Sequence, residues 1–264
     1  MFRSYSNKIT KFQTKNLLEN DKSTLTTNEW TLISNISNCY NEYSGLHVCQ
    51  IYLNQQTNLP IKMRFKSLSI IEILQRLMNC SQTLYEKNQD FRNLSNEDRS
   101  LLVSNTCGYI SSLSTTFITK QIGIMDSSTY YETLEFISSK QATQMTKYIS
   151  PRIHPDILVI KIFLSIVSFS TTSMTMYSHL STTTTTNLSN IRQIVEIQNR
   201  YIEILWKYLI YKYDYQRAIE SICDLLRCCF ALHEGLIIAN DVQWYSDSVT
   251  NLVQQTESNL NIVE

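Results

Sequence analysis

Glycine and proline are scarce, with 4 and 3 among 264 residues. Sheet-rich folds need many tight turns and α/β folds need glycine-rich loops, so the shortage argues for helices joined by few breaks. Net charge is missing as well: 23 basic side chains balance 23 acidic ones. Nothing global draws the chain to nucleic acid or to an acidic membrane, and neither is expected as a partner. A local cluster, Lys62, Arg64 and Lys66, reads as the solvated start of a helix. No two of the seven cysteines have Cys-x-x-Cys spacing and their number is odd, so free thiols packed as small core residues are expected. A long apolar run is also lacking. Ile157 to Phe169 comes nearest, but it contains Lys161 and falls short of the roughly 20 residues a membrane span needs. Met1 to Lys15 shows no apolar stretch of the secretory type.

Catalytic constellations are equally thin. His47, His154, His179 and His233 lie far apart, with no His-x-x-x-His pair and hence no expected metal site. No Gly-x-Ser-x-Gly elbow, phosphate loop or Gly-x-Gly-x-x-Gly turn occurs. Glu132 and Glu135 share a helix face, where paired acids are usually solvated. The reading is a binding protein that is not an enzyme and holds no cofactor.

What is present is helical periodicity in a chain that is 43% hydrophobic. Residues 1–24 are polar and unpatterned, the composition of a disordered tail, and residues 25–264 read as one domain. Thr26-Thr27-Asn28-Glu29 has the form of a helix-starting cap ahead of Trp30, Ile33, Ile36 and Tyr40. Residues 44–61 read as an irregular connection holding one short helix. From Lys66, Ile71, Leu74, Leu77, Met78, Leu84 and Tyr85 keep helical spacing for about seven turns. Ser95, followed by Glu97 and Asp98, starts another helix, because carboxylates favour its positive end. Residues 117–130 suggest a small β-hairpin, with Gly123 and Asp126-Ser127-Ser128 at its turn. Tyr131 to Ile149 reads as one helix, and His154-Pro155-Asp156 caps the apolar helix 157–170. Ser181 to Asn187 is a low-complexity connector. Two long amphipathic helices follow. One carries Ile191, Ile194, Tyr201, Leu205 and Leu209; the other carries Ala218, Ile219, Ile222, Leu226, Cys229, His233, Leu236 and Ile237.

Phe91-Arg92-Asn93-Leu94-Ser95-Asn96-Glu97-Asp98-Arg99-Ser100-Leu101-Leu102-Val103 resembles the signature of nuclear receptor ligand-binding domains. Phenylalanine, leucine, aspartate and the apolar pair keep that family's spacing, while Arg99 replaces Gln and Val103 the second Leu. Val195 to Tyr201 is similar to the family's ninth helix, and Asp224 to His233 to the start of its fused tenth and eleventh. Over residues 25–255 the resemblance implies a three-layer antiparallel helical sandwich of about eleven helices. It implies transcription regulation, in nucleus or cytoplasm, through an unknown small apolar ligand, co-regulator proteins or a dimer partner. The zinc-containing DNA module has no counterpart here. The implied pocket residues are Leu74, Met78, Leu113, Phe117, Cys229 and His233. The implied partner groove involves Glu86, Lys87, Ser104 and Gln255. Glu86 stands where the family usually has a charge-clamp Lys, and Gln255 where it has Glu, so clamping of a coactivator helix is expected to be weak. The competing reading is a ligand-free helical interaction scaffold, dimerising through the helix at 218–239.

Overall fold

Thr26 and Glu29 close a reciprocal cap: the Thr26 amide donates to Glu29 Oε2 at 2.6 Å and the Glu29 amide to Thr26 Oγ1 at 3.3 Å. The helix they open begins the structure, a computed structural model that describes residues 24–43, 45–171 and 188–260, with backbone alone for 39–43. Both the N-terminal tail and the Ser181–Asn187 connector fall outside these residues. Among the described residues there are twelve α-helices and no strand. They are α1 Thr27–Tyr43, α2 Leu46–Thr57, α3 Ser67–Cys80, α4 Thr83–Lys87, α5 Gln89–Arg92 and α6 Asn96–Gln121. After these come α7 Ser128–Ser138, α8 Lys140–Ile149, α9 Ile157–Ser168, α10 Ile191–Lys212, α11 Tyr215–Ala239 and α12 Gln243–Asn259.

The fold is all-α, and α6 and α9 form its interior. Helix α9 packs against α1, α6 and α10, and α6 against α3, α9, α11 and α12. In α9 nearly every side chain from Leu158 to Ser168 is buried, as its unbroken apolar run requires. Even Lys161 is enclosed, donating Nζ to the Ser37 hydroxyl at 3.1 Å and the Ser37 carbonyl at 3.3 Å. Helix α6 is less obvious, since its buried surface includes Thr106, Ser111, Thr116 and Thr119. Each of these hydroxyls donates back to a carbonyl one turn earlier, which satisfies it inside its own helix.

The expected β-hairpin is absent among the described residues. Residues 117–121 remain helical, Gly123 adopts φ +75° just beyond the end of α6, and Ile124–Asp126 is a single 3-10 turn. The turn residues were legible, but they stop a helix where a hairpin was expected. Two long helices also prove to be broken. The expected helix from Lys66 ends at Cys80, where Ser81 and Thr83 hydroxyls take the Met78 and Cys80 carbonyls, and the chain restarts as α4 and α5. Residues 131–149 divide at Ser139, which holds φ +96° and caps α8 by accepting from the Ala142 amide at 3.3 Å. Residues 46–57, expected to be mainly irregular, form a 12-residue helix.

The joint between α5 and α6 follows the reading of its residues. Phe91 and Leu94 are buried, and Phe91 meets Tyr85 edge-on with ring centroids 4.9 Å apart. Ser95 caps α6 by accepting from the Asp98 amide at 3.2 Å. Asp98 itself is buried and accepts from both the amide and the hydroxyl of Ser189, at 2.6 and 2.7 Å. A single carboxylate thus ties the first turn of α6 to the entry of α10.

Candidate functional site

A cavity lies where α3, α6, α7, α8, α11 and α12 converge, and its volume is about 70 Å³. Helix α3 contributes Leu74 and Met78, and α11 contributes Leu232, Gly235, Leu236 and Ala239. Apolar side chains from α7 and α8, Leu134, Ile137, Met145 and Ile149, make most of the remaining wall, with Trp244 of α12. No lining residue is an acid, a lysine, an arginine or a histidine. The break at Ser139 shapes this wall, because it lets α7 and α8 turn their apolar faces to the same space.

Polar groups in the wall are hydroxyls, and most are engaged. Thr116 donates to the Ser112 carbonyl at 2.7 Å and Ser138 to the Leu134 carbonyl at 2.8 Å. The Ser112 and Tyr245 hydroxyls pair at 2.7 Å. Burial pushes the Tyr130 phenol up to about 12, against its hydrogen bond with the Thr119 hydroxyl, so this ring is neutral. Thr115 differs: its Oγ1 is buried and has no hydrogen-bond partner. Its backbone carbonyl accepts from Thr119 Oγ1 at 2.8 Å.

Of the six pocket candidates the structure brings two together, Leu74 and Met78. The other four do not line the cavity. Leu113 and Phe117 are buried on α6 but face away from the cavity, which meets that helix at Ser112, Thr115 and Thr116. Cys229 and His233 are half-buried on α11 and line no part of it. Each residue of a helix is turned roughly 100° from the last, so His233 stands well round from Leu232. Its stripe was read with the right period and assigned to the wrong side. The α11 residues that are buried are Ala218, Ser221, Leu225, Cys228, Ala231, Leu232, Gly235 and Ala239 with Leu236. Small side chains there allow α8 to approach closely: a β-carbon on Gly235 would lie 3.1 Å from Met145 Cβ. Thr115 gave a weaker signal, a hydroxyl in a Ser- and Thr-rich helix that only the back-bonding pattern singles out.

The partner-groove candidates gather at the seam between α4, α6 and α12. Glu86 accepts from Asn259 Nδ2 at 2.8 Å, and Ser100, one turn before Ser104 on α6, donates to Glu257. Lys87 and Gln255 are exposed, and Ser104 donates to the Leu101 carbonyl at 2.9 Å. Gln255 therefore lies in the interior of the 17-residue helix α12, whose last residue, Asn259, Glu86 already holds.

No protein-family model matches the chain, and no curated protein matches it. Among the described residues no helix is long and apolar enough to cross a membrane.

Proposed function

We propose that this chain is a regulatory domain of the nuclear receptor ligand-binding type, acting through a small apolar ligand and protein partners without catalysis. The observation that carries this reading is the apolar cavity between α3 and α11, the two helices whose separation distinguishes a ligand pocket from a filled core. The buried joint of Phe91, Leu94 and Asp98 supports it, because those residues are the ones that resemble the family signature. A role in transcription regulation, in nucleus or cytoplasm, follows from the same resemblance. The occupied Glu86 and the neutral Gln255 argue against clamping of a coactivator helix. The test is thermal unfolding with and without small apolar ligands. A ligand at a hundred times its Kd adds about 2.7 kcal/mol. The cavity-filling Ala239→Leu should raise the basal Tm and abolish the ligand effect; a ligand effect that persists in this variant would place binding elsewhere.

One observation favours the scaffold reading as a second role. Tyr215, Ile219, Leu226, Phe230 and Ile237 recur along α11 on its outer face, all exposed, with Phe230 at 74%. Tyr215 and Ile237 lie equally far along the helix on either side of Leu226. In an antiparallel pairing of two copies centred on Leu226, Tyr215 would meet Ile237 and the half-buried Ile222 would meet Phe230. Such self-complementarity is what a twofold interface requires. Sedimentation velocity tests it: Phe230→Asp should give monomer at concentrations where the natural chain associates.

A further inference from the structure

A basic and apolar projection stands apart from the cavity, in the loop that joins α2 to α3. No acidic residue occurs from 43 to 71, while Lys62, Arg64 and Lys66 fall close together within that span. The zero net charge of the chain therefore hides a local positive patch, and Lys62 and Lys66 are exposed. Large apolar side chains are interleaved with these charges: Ile61 is 82% exposed, Met63 56% and Leu68 77%. The loop is held in place. Arg64 Nε donates to the Leu59 carbonyl at 2.9 Å, and Nη2 to the Thr57 carbonyl at 2.7 Å. The Phe65 amide donates to Oε1 of the buried Gln56 at 2.6 Å, and the Phe65 ring meets Tyr52 edge-on. These anchors keep Phe65 at φ +52°, a left-handed conformation that is strained for a bulky residue. A fixed loop thus presents apolar tips to the outside, a surface that the monomer leaves uncovered.

We propose that residues 59–68 dock reversibly on an anionic phospholipid surface. Lys62 and Lys66 meet the headgroup anions, while Ile61, Met63 and Leu68 enter the acyl boundary. This goes beyond the regulatory role proposed above and does not depend on it. Charge narrows the occupant. A second copy of the patch brings the same positive charge and is repelled. The segments outside the described residues bring no acidic excess: residues 1–23 hold five basic and two acidic side chains, 172–187 hold no acid, and 261–264 hold one. Shape then favours a membrane over an acidic protein. Side chains as exposed as Ile61 and Leu68 are projections, whereas a peptide helix or a Pro-rich peptide is taken up in a groove. Basic groups set among protruding apolar ones are the composition of a surface that lies in a lipid interface. The lysine stems can follow the apolar tips inwards with their ammonium groups kept at headgroup level.

Co-sedimentation of the full chain with vesicles tests this. The chain should bind vesicles of phosphatidylcholine mixed with phosphatidylserine, and phosphatidylcholine alone far more weakly. Salt at about 1 M, where charges act over only ~3 Å, should release it. Each lysine near an anionic surface is worth about fivefold, so Lys62→Gln with Lys66→Gln should weaken binding roughly 25-fold. Ile61→Ser with Leu68→Ser should weaken it at least about tenfold although the lysines remain. These four side chains are exposed, so both double variants should keep the natural Tm, read by circular dichroism. Phe230→Ser, on the exposed face of α11, should bind vesicles as the natural chain does. Equal binding to phosphatidylcholine alone, or undiminished binding in either double variant, overturns the proposal. A loss in Phe230→Ser as large as that of the Ile61 and Leu68 pair does the same, because it moves the contact to α11. Failure to bind any vesicle also overturns it. If an acidic, leucine-rich peptide then binds and is lost in Lys62→Gln with Lys66→Gln, the surface belongs to a protein partner.

Discussion

The two faces of α11 are built from opposite kinds of residue. The inner face, packed on α8 and lining the cavity, is made of Ala218, Ser221, Leu225, Cys228, Leu232, Gly235 and Ala239. The outer face holds Tyr215, Ile219, Leu226, Phe230 and Ile237, which are larger and exposed. Burial here follows close approach rather than side-chain size. Small residues let the α8 and α11 backbones come together, and that contact removes more surface from water than one protruding ring. The outer face then keeps large apolar groups that the monomer leaves uncovered, more than chance exposure of single residues explains.

Two phenylalanines give the sharpest test of this difference. Phe91, fully buried against Tyr85 and Phe169, should lose about 3–5 kcal/mol on replacement by alanine, read from urea unfolding. A loss below 1 kcal/mol would mean that the α5–α6 joint is not the packed anchor described. On α11 itself, Leu225→Ala from the inner face should cost about 2–5 kcal/mol. Adding volume to the same face is the next largest effect. Gly235→Val places methyl groups against Met145 and should cost about 1–3 kcal/mol; a neutral result would show that α8 can withdraw.

Acidification should also reach the inner face, through His154. His154 Nδ1 accepts from the Asp156 amide at 3.1 Å, so the ring proton sits on Nε2, which donates to Ser221 Oγ at 3.2 Å. Burial holds the His154 pKa below its ordinary 6.5, against the pull of Asp156. The unfolded chain therefore binds the proton more readily, and stability present above pH 6.5 is lost as the pH falls through the folded value. Urea midpoints should drop between pH 7.5 and 5.5, and His154→Gln should flatten that dependence. Asp156 adds a second loss at lower pH. Burial raises its pKa, but the bonds from Lys212 and the Leu158 amide outweigh that and hold it below 3.8. The smallest effect is on the outer face. Phe230→Ala should leave the dilute chain within about 0.5 kcal/mol of the original, and a loss as large as that of Leu225→Ala would erase the distinction between the faces.

Much of the fold was legible from local chemistry. The caps at Thr26, Ser95 and Asp156, the interior position of residues 157–168, and the buried Phe91 and Leu94 all follow from residue type and spacing. The candidate site was legible only in part. Leu74 and Met78 were found because α3 has a single dominant apolar face, whereas α11 has two stripes of plausible core residues and the larger pointed outwards. Thr115 was invisible because its neighbours Thr116 and Thr119 look the same in sequence and differ only in having a carbonyl partner.

The sequence by itself determined that this protein is helical, where most of its helices begin, and that Asp98 and Phe91 would sit at a joint. Those properties depend on interactions within one or two turns, which the chain carries wherever it goes. Tertiary structure decided which side of α11 faces inwards, where the long helices break, and that a cavity with one unpartnered hydroxyl lies between α3 and α11. Each of those outcomes depends on how closely two backbones can approach, a distance set by side chains far apart in the chain, such as Gly235 and Met145.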